Sequence, residues 1–142
     1  MGKISEAGRA ISAVALLAAL FALAIPASAQ QQSWRPASRA GERQAFIDTS
    51  SIRRDGDRVR FVREIRGGEI SQLQSGERFN VIGAVMEVDC RARTLRNLEL
   101  YIRLDEAMVG RAEANGNVEP VQPGSTADTD LRAACFNEWP AS

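Results

Sequence analysis

Apolar residues recur at every second position through three stretches of this chain, and no other feature limits its fold as much. A period of two belongs to a half-buried strand, whereas an amphipathic helix repeats every three to four residues. From Arg58 to Ile65, Val59, Phe61 and Ile65 share one face, and Arg58, Arg60, Val62 and Glu64 share the other. From Phe79 to Cys90, Ile82, Ala84, Met86, Val88 and Cys90 fall together. From Thr94 to Leu104 the alternation is cleanest. It predicts Leu98, Leu100, Ile102 and Leu104 inward, with Glu99, Tyr101 and Arg103 outward.

Turn chemistry joins these stretches. A first strand is predicted over Ala45-Phe46-Ile47-Asp48, and Asp55-Gly56 is a strong hairpin signal before Arg58. Arg91-Ala92-Arg93 connects a second hairpin. Gly67-Gly68 is predicted to break the strand before it, with residues 69–78 a mobile loop. Residues 105–124 read as loop, with a short edge strand over 118–121. Ser125-Thr126-Ala127-Asp128 reads as a capping box that starts a helix, with Asp128 reaching back to the cap. Leu131 and Cys135 lie four apart and share a face of that helix. The reading is α+β: an antiparallel sheet of about five or six strands with one C-terminal helix tied to it by a disulfide.

The N-terminus places this fold outside the cytoplasm. Lys3 and Arg9 give a basic start, Ala10 to Ile25 is apolar but for one Ser, and Pro26 precedes Ala27-Ser28-Ala29. That is the layout of a secretory signal, so residues 1–29 are expected to be cleaved between Ala29 and Gln30. The apolar run is shorter than the roughly 20 residues a membrane span needs. No Cys lies near the site to take a lipid anchor, and there is no paired Arg. The expected location is periplasmic or secreted. Residues 30–44 read as a flexible lead-in from which Trp34 tucks against the domain, and residues 45–142 as a single β-rich domain.

Cys90 and Cys135 are the only cysteines, and in an exported chain such a pair reads as one disulfide. A redox or intermolecular role is the alternative, but neither Cys sits in a Cys-x-x-Cys motif. The chain has no His, and its single Lys is in the leader. A Ser-His-Asp or Cys-His couple, a His-ligated zinc and a lysine Schiff base are therefore excluded from the exported part. With 18 basic and 18 acidic residues the charge is balanced, which argues against nucleic acid as a partner.

Two clusters remain. Asp48, Asp55, Asp57, Glu87 and Asp89 match no calcium-loop spacing and are accounted for by turn and surface use. A pocket gathering Asp48, Glu87 and Asp89 would revive carboxylate catalysis. Arg53, Arg54, Arg58 and Arg60 crowd the first hairpin, with Arg63 and Arg66 beyond. They form a candidate interaction patch for an acidic partner, or a solvated face balanced by Asp55, Asp57, Glu64 and Glu69.

Three ordered blocks resemble the surface-adhesin protein E family. They are Phe46-Ile47-Asp48-Thr49-Ser50-Ser51-Ile52 followed by Arg54 and Gly56; Asp89-Cys90-Arg91 followed by Arg93, Arg96 and Tyr101; and Val121 with Pro123-Gly124-Ser125 leading to Cys135. The resemblance implies a sheet with a helix pinned through Cys90 and Cys135. It also implies a non-enzymatic exported protein, with an envelope-associated role or, in the surface-displayed members, binding of host matrix proteins such as vitronectin and laminin. No cofactor or metal is implied. The expected partner is an unidentified protein or envelope component. A homodimer stays open, and no integral span remains after cleavage. The intact mass of protein recovered from the envelope should begin at Gln30; a species retaining Lys3 would refute the cleavage.

Overall fold

The computed structural model describes residues 33–141. The leader and the cleavage site at Ala29 and Gln30 lie outside the described residues. The described chain is an antiparallel meander, β1 (Trp34–Ala40), β2 (Arg43–Asp55), β3 (Arg58–Gln72), β4 (Arg78–Asp89), β5 (Thr94–Leu104) and β6 (Ala107–Glu113), in spatial order β1-β2-β3-β4-β5-β6. A two-residue β7 (Glu119–Pro120) pairs with β5 beyond the end of β6. One helix, α1 (Thr126–Phe136), follows. The fold is mostly sheet with one short helix rather than a balanced α+β arrangement.

The hairpin signals hold. Gly56, first of the two turn residues between β2 and β3, takes φ 58°, which a side chain disfavours. Asp89 Oδ1 accepts from the Arg91 and Ala92 amides and closes the β4–β5 turn.

Three expectations are corrected. Residues 34–40 are not a flexible lead-in but edge strand β1, paired with β2 from Trp34 opposite Asp48 to Ala40 opposite Arg43. Gly67-Gly68 bulges β3 rather than ending it, and pairing resumes with Ser71 opposite Phe79. An added Cβ at Gly67 would stand 2.8 Å from the Glu42 carbonyl oxygen, so the bulge is packed against the β1–β2 turn. Residues 107–113, read as loop, are β6. Their turn lacks an Asn-Gly or Asp-Gly pair; instead Asp105 takes φ 52° and exchanges two hydrogen bonds of 2.8 Å with the Asn80 side chain. That tertiary clamp leaves no local signal.

The core lies between α1 and one face of the sheet. Ile47, Val59, Phe61, Ala84, Met86, Val88 and Cys90 meet Val121, Leu131, Ala134 and Cys135. Ser125 caps the helix by accepting from the Asp128 amide, and Asn137 ends it at φ 57°. Asp128 does not reach back to the cap as a capping box would. It accepts from the Gly124 amide at 2.8 Å and from Arg93 at 2.5 Å. The helix is held at three further points. Asp130 pairs with Arg63 at 2.5 Å and accepts from the Ser38 amide at 3.0 Å. Arg54 donates to the Cys135 carbonyl, where a cation complements the helix dipole. The Cys90–Cys135 disulfide, with Cα atoms 5.8 Å apart, fastens the last turn to the end of β4.

Closing a loop of this length restricts the unfolded chain by about 4 kcal/mol in the chain-entropy treatment. Cys135→Ser is expected to lower unfolding stability by about 2–5 kcal/mol. It should raise hydrogen exchange in 126–136 before it does so in β2–β4. Uniform loosening of sheet and helix would show that the bridge does not act through helix docking.

Candidate functional site

The arginines of the candidate patch divide between the two faces of the sheet. By register Arg53 lies opposite Arg60, and Arg58 opposite Asp55, on the sheet face away from α1. Arg54 lies opposite Val59, on the helix-bearing face. Arg54 is committed to the helix C-terminus, and Arg60 Nε holds Glu87 at 2.6 Å. Arg53 folds onto the Ser50 and Ile52 carbonyls. A shallow depression of about 280 Å³ touches Arg53, Arg54, Arg58 and Arg60 together with Asp55 and Glu87.

Of the carboxylates, Glu87 and Asp89 line one depression of about 130 Å³ together with Arg58 and Arg96, and Asp48 lies elsewhere. Asp48 accepts from the Ser33 and Ser50 amides and the Ser50 hydroxyl, fixing the entry to β1. Asp89 serves its turn. Glu87 is buried between Arg60 and Arg96. Hydrogen bonding from Arg60 holds its carboxyl below the ordinary value against the opposing effect of burial, and Arg96 adds to it.

The alternation predicts Tyr101 and Arg103 toward solvent, yet they belong to the most developed polar cluster of the sheet. Glu64 is 2 % exposed and Tyr101 7 %. Tyr101 lies flat over Gly83, where an added Cβ would be 2.0 Å from Cζ. Its hydroxyl donates to Glu64 Oε1 at 2.9 Å. Arg103 reaches Glu64 through Nε and Nη2, at 3.0 and 2.7 Å. Arg66 pairs with Glu64 at 2.7 Å and stacks on the rings of Trp34 and Phe46, 4.3 and 4.9 Å from their centroids. Burial pushes the Glu64 carboxyl up, but the hydrogen bonds from Arg103, Arg66 and Tyr101 together hold it below its ordinary value. Burial, and then the bond to Glu64, raises the Tyr101 phenol, so it remains a donor. Gly83, a lone glycine in a strand interior, is the one sequence sign of this close approach.

With Tyr101 inward on that face, the leucines of β5 lie on the other. Leu100 is 42 % exposed rather than core. It joins Leu73, Phe79, Ile82, Ile102 and Ala112 around an open apolar groove of about 330 Å³, on the part of the helix-bearing face that α1 does not reach. A second groove of about 500 Å³ runs between β1 and α1, past Arg35, Ser38, Arg39, Thr126 and Thr129.

The sequence model of the family described as surface-adhesin protein E matches residues 34–136, from the first residue of β1 to the last of α1. The chain belongs to the surface-adhesin protein E family. No curated protein sequence matches it. Membership implies an exported protein, and no helix among the described residues is long and apolar enough to cross a membrane. For this member of the surface-adhesin protein E family, the match spans the disulfide, the Glu64 cluster and the apolar groove alike.

Glu64, Glu87 and Asp128 all have carboxyls held below their ordinary values of 4.5, 4.5 and 3.8. Each contributes stability that is fully present above its ordinary value and is lost as pH falls through the lowered one. The thermal midpoint should therefore fall on acidification below about pH 4.5. Glu64→Gln should cost about 3 kcal/mol at neutral pH by leaving Arg103 buried beside a neutral group. The variant should also flatten the acid limb of the stability profile; an acid limb identical to the parent's would remove Glu64 from this role.

Proposed function

We propose that this chain is a non-enzymatic exported domain that works by binding a protein partner at the bacterial envelope. The observation that carries the reading is the uncovered apolar groove on the helix-bearing face, in a chain of a surface-adhesin family. Leu73 and Leu100 stand exposed at this groove, and covering them with a partner's apolar side chains would be favourable. The buried acids support the same reading, because Glu64, Glu87, Asp128 and Asp130 are each taken up by arginine pairs that hold the fold. The disulfide and the leader together suit the periplasm or the outer surface.

The family's description favours a second reading, adhesion from the cell surface, and the resemblance noted above makes host matrix proteins the candidate ligands. The arginine hairpin is a weaker basis for it, because Arg54 is tied to the Cys135 carbonyl and Arg60, though exposed, is paired with Glu87. Fractionation of the source cells, with protease treatment of intact cells, separates the two. Recovery of the processed chain in the periplasm alone, protected from protease, removes the matrix-adhesion reading. Surface cleavage, with binding of purified laminin or vitronectin that survives Arg53→Gln with Arg58→Gln, supports adhesion through another surface. Full solubility in the cytoplasm with the leader attached would overturn both.

A further inference from the structure

The two edges of the sheet are finished differently. At β1, Pro36 has no N–H to offer, and the Ser38 amide is taken by Asp130 from the helix. Both devices blunt an edge against further strands. At β6 neither device is present, and its one irregularity, a bulge at Val109, lies before the stretch from Gly110 to Glu113. Residues 107–113 contain no Pro, pair with β5, and have no other strand beside them among the described residues. The Ala114 amide points to Leu98 of β5. Alternation along the strand then turns Gly110 and Ala112 toward β5 and leaves the backbone donors and acceptors of Arg111 and Glu113 facing out.

This free edge borders the apolar groove. On the groove side β6 contributes Gly110 and Ala112, opposite Ile102 and Leu100. The small residues leave a depression beside Leu100, Ile102 and Phe79. On the other side β6 presents Arg111 and Glu113, opposite Tyr101 and Glu99.

We infer that β6 is a strand-addition site: an extended segment of a partner protein pairs with its free edge and fills the groove with alternate bulky apolar side chains. The inference rests on the partner-binding reading above and names the site and the chemistry of the partner. The backbone edge requires an extended strand. The groove requires large apolar residues at every second position, since successive side chains alternate between faces. On the remaining face Arg111 is taken up by Glu99, and Glu113 favours a base beside it. A second copy of this chain fits less well. Its own β6 would bring the small residues Ala107, Gly110 and Ala112 to the groove side and leave the depression unfilled.

The test uses the disulfide-bonded chain and a displayed library of nine-residue peptides that alternate bulky apolar and variable polar positions, a length of roughly one strand. Selected peptides should carry a base at the polar position beside Glu113. They should slow amide exchange in 107–113 and leave 34–40 unchanged. Two variants separate the backbone from the groove. Glu113→Pro removes one outward donor, and Leu100→Asp places a charge in the groove at an already exposed position. Each should weaken peptide binding by about tenfold or more with the fold's thermal midpoint retained. Failure to select binders, or binders indifferent to both variants, would overturn strand addition at β6. Concentration-dependent dimers lost in Glu113→Pro would overturn it in favour of a second copy. Binding to lipid vesicles lost in Leu100→Asp but kept in Glu113→Pro would overturn it in favour of a membrane surface. If peptide binding fails while purified matrix protein still binds both variants, the site is wrong and the partner-binding reading stands.

Discussion

An eleven-residue helix, about 16 Å long, has to cover one face of a six-stranded sheet that is about 24 Å across and longer still along its strands. It cannot, and the rest of the structure follows from that shortfall. Where α1 does lie, the packing is dense, with Leu131, Phe61, Ile47, Val59 and Val88 almost fully buried. A small core of this kind gives limited stability. The helix is therefore fixed at both ends by stronger ties, Asp128 to Arg93 near its start and the Cys90–Cys135 bond near its finish. Asp130 pins it between them.

The far face of the sheet has no second layer of secondary structure among the described residues. Its cover comes from its own long side chains. Arg60, Glu87 and Arg96 form one cross-strand group, Arg66, Glu64 and Arg103 a second, and Glu99 with Arg111 a third. The arginine stems shield the strands while their heads stay hydrated or paired. Tyr101 over Gly83 supplies the one large ring in the middle of this face, and Trp34 and Phe46 supply the sandwich around Arg66. Such pairs are weak on an open surface, but Glu64 is buried and Arg103 is largely covered, so losing either partner strands a charge.

What the helix leaves bare on its own face is the apolar groove, and the edge strand beside it has neither a proline nor an amide taken up by the helix. The same short helix that guards β1 through Asp130 stands away from β6. Coverage, edge protection and partner access are thus three results of where one helix is placed.

The sequence by itself determined the strand period, both main hairpins, the helix start at Ser125 and the cysteine pair, because each is written in residues close together or in a count of two. It determined too little about faces. Alternation says which residues of a strand go together, not which group meets the helix. On β5 it fails for a further reason: a register shift at Val85 and Met86 of β4, opposite Asn97 and Glu99, changes the parity within the strand. Leu95 then packs against the core from an odd position, while Leu100 and Ile102 line the open groove from even ones. Strand β1 and the β5–β6 turn were equally illegible, since their support is Asp48 and Asn80, each distant along the chain. Local periodicity is a property of the chain. Which face is covered, which edge is closed and which arginine is free depend on the reach of a helix that comes last in the sequence, and only tertiary packing fixes that.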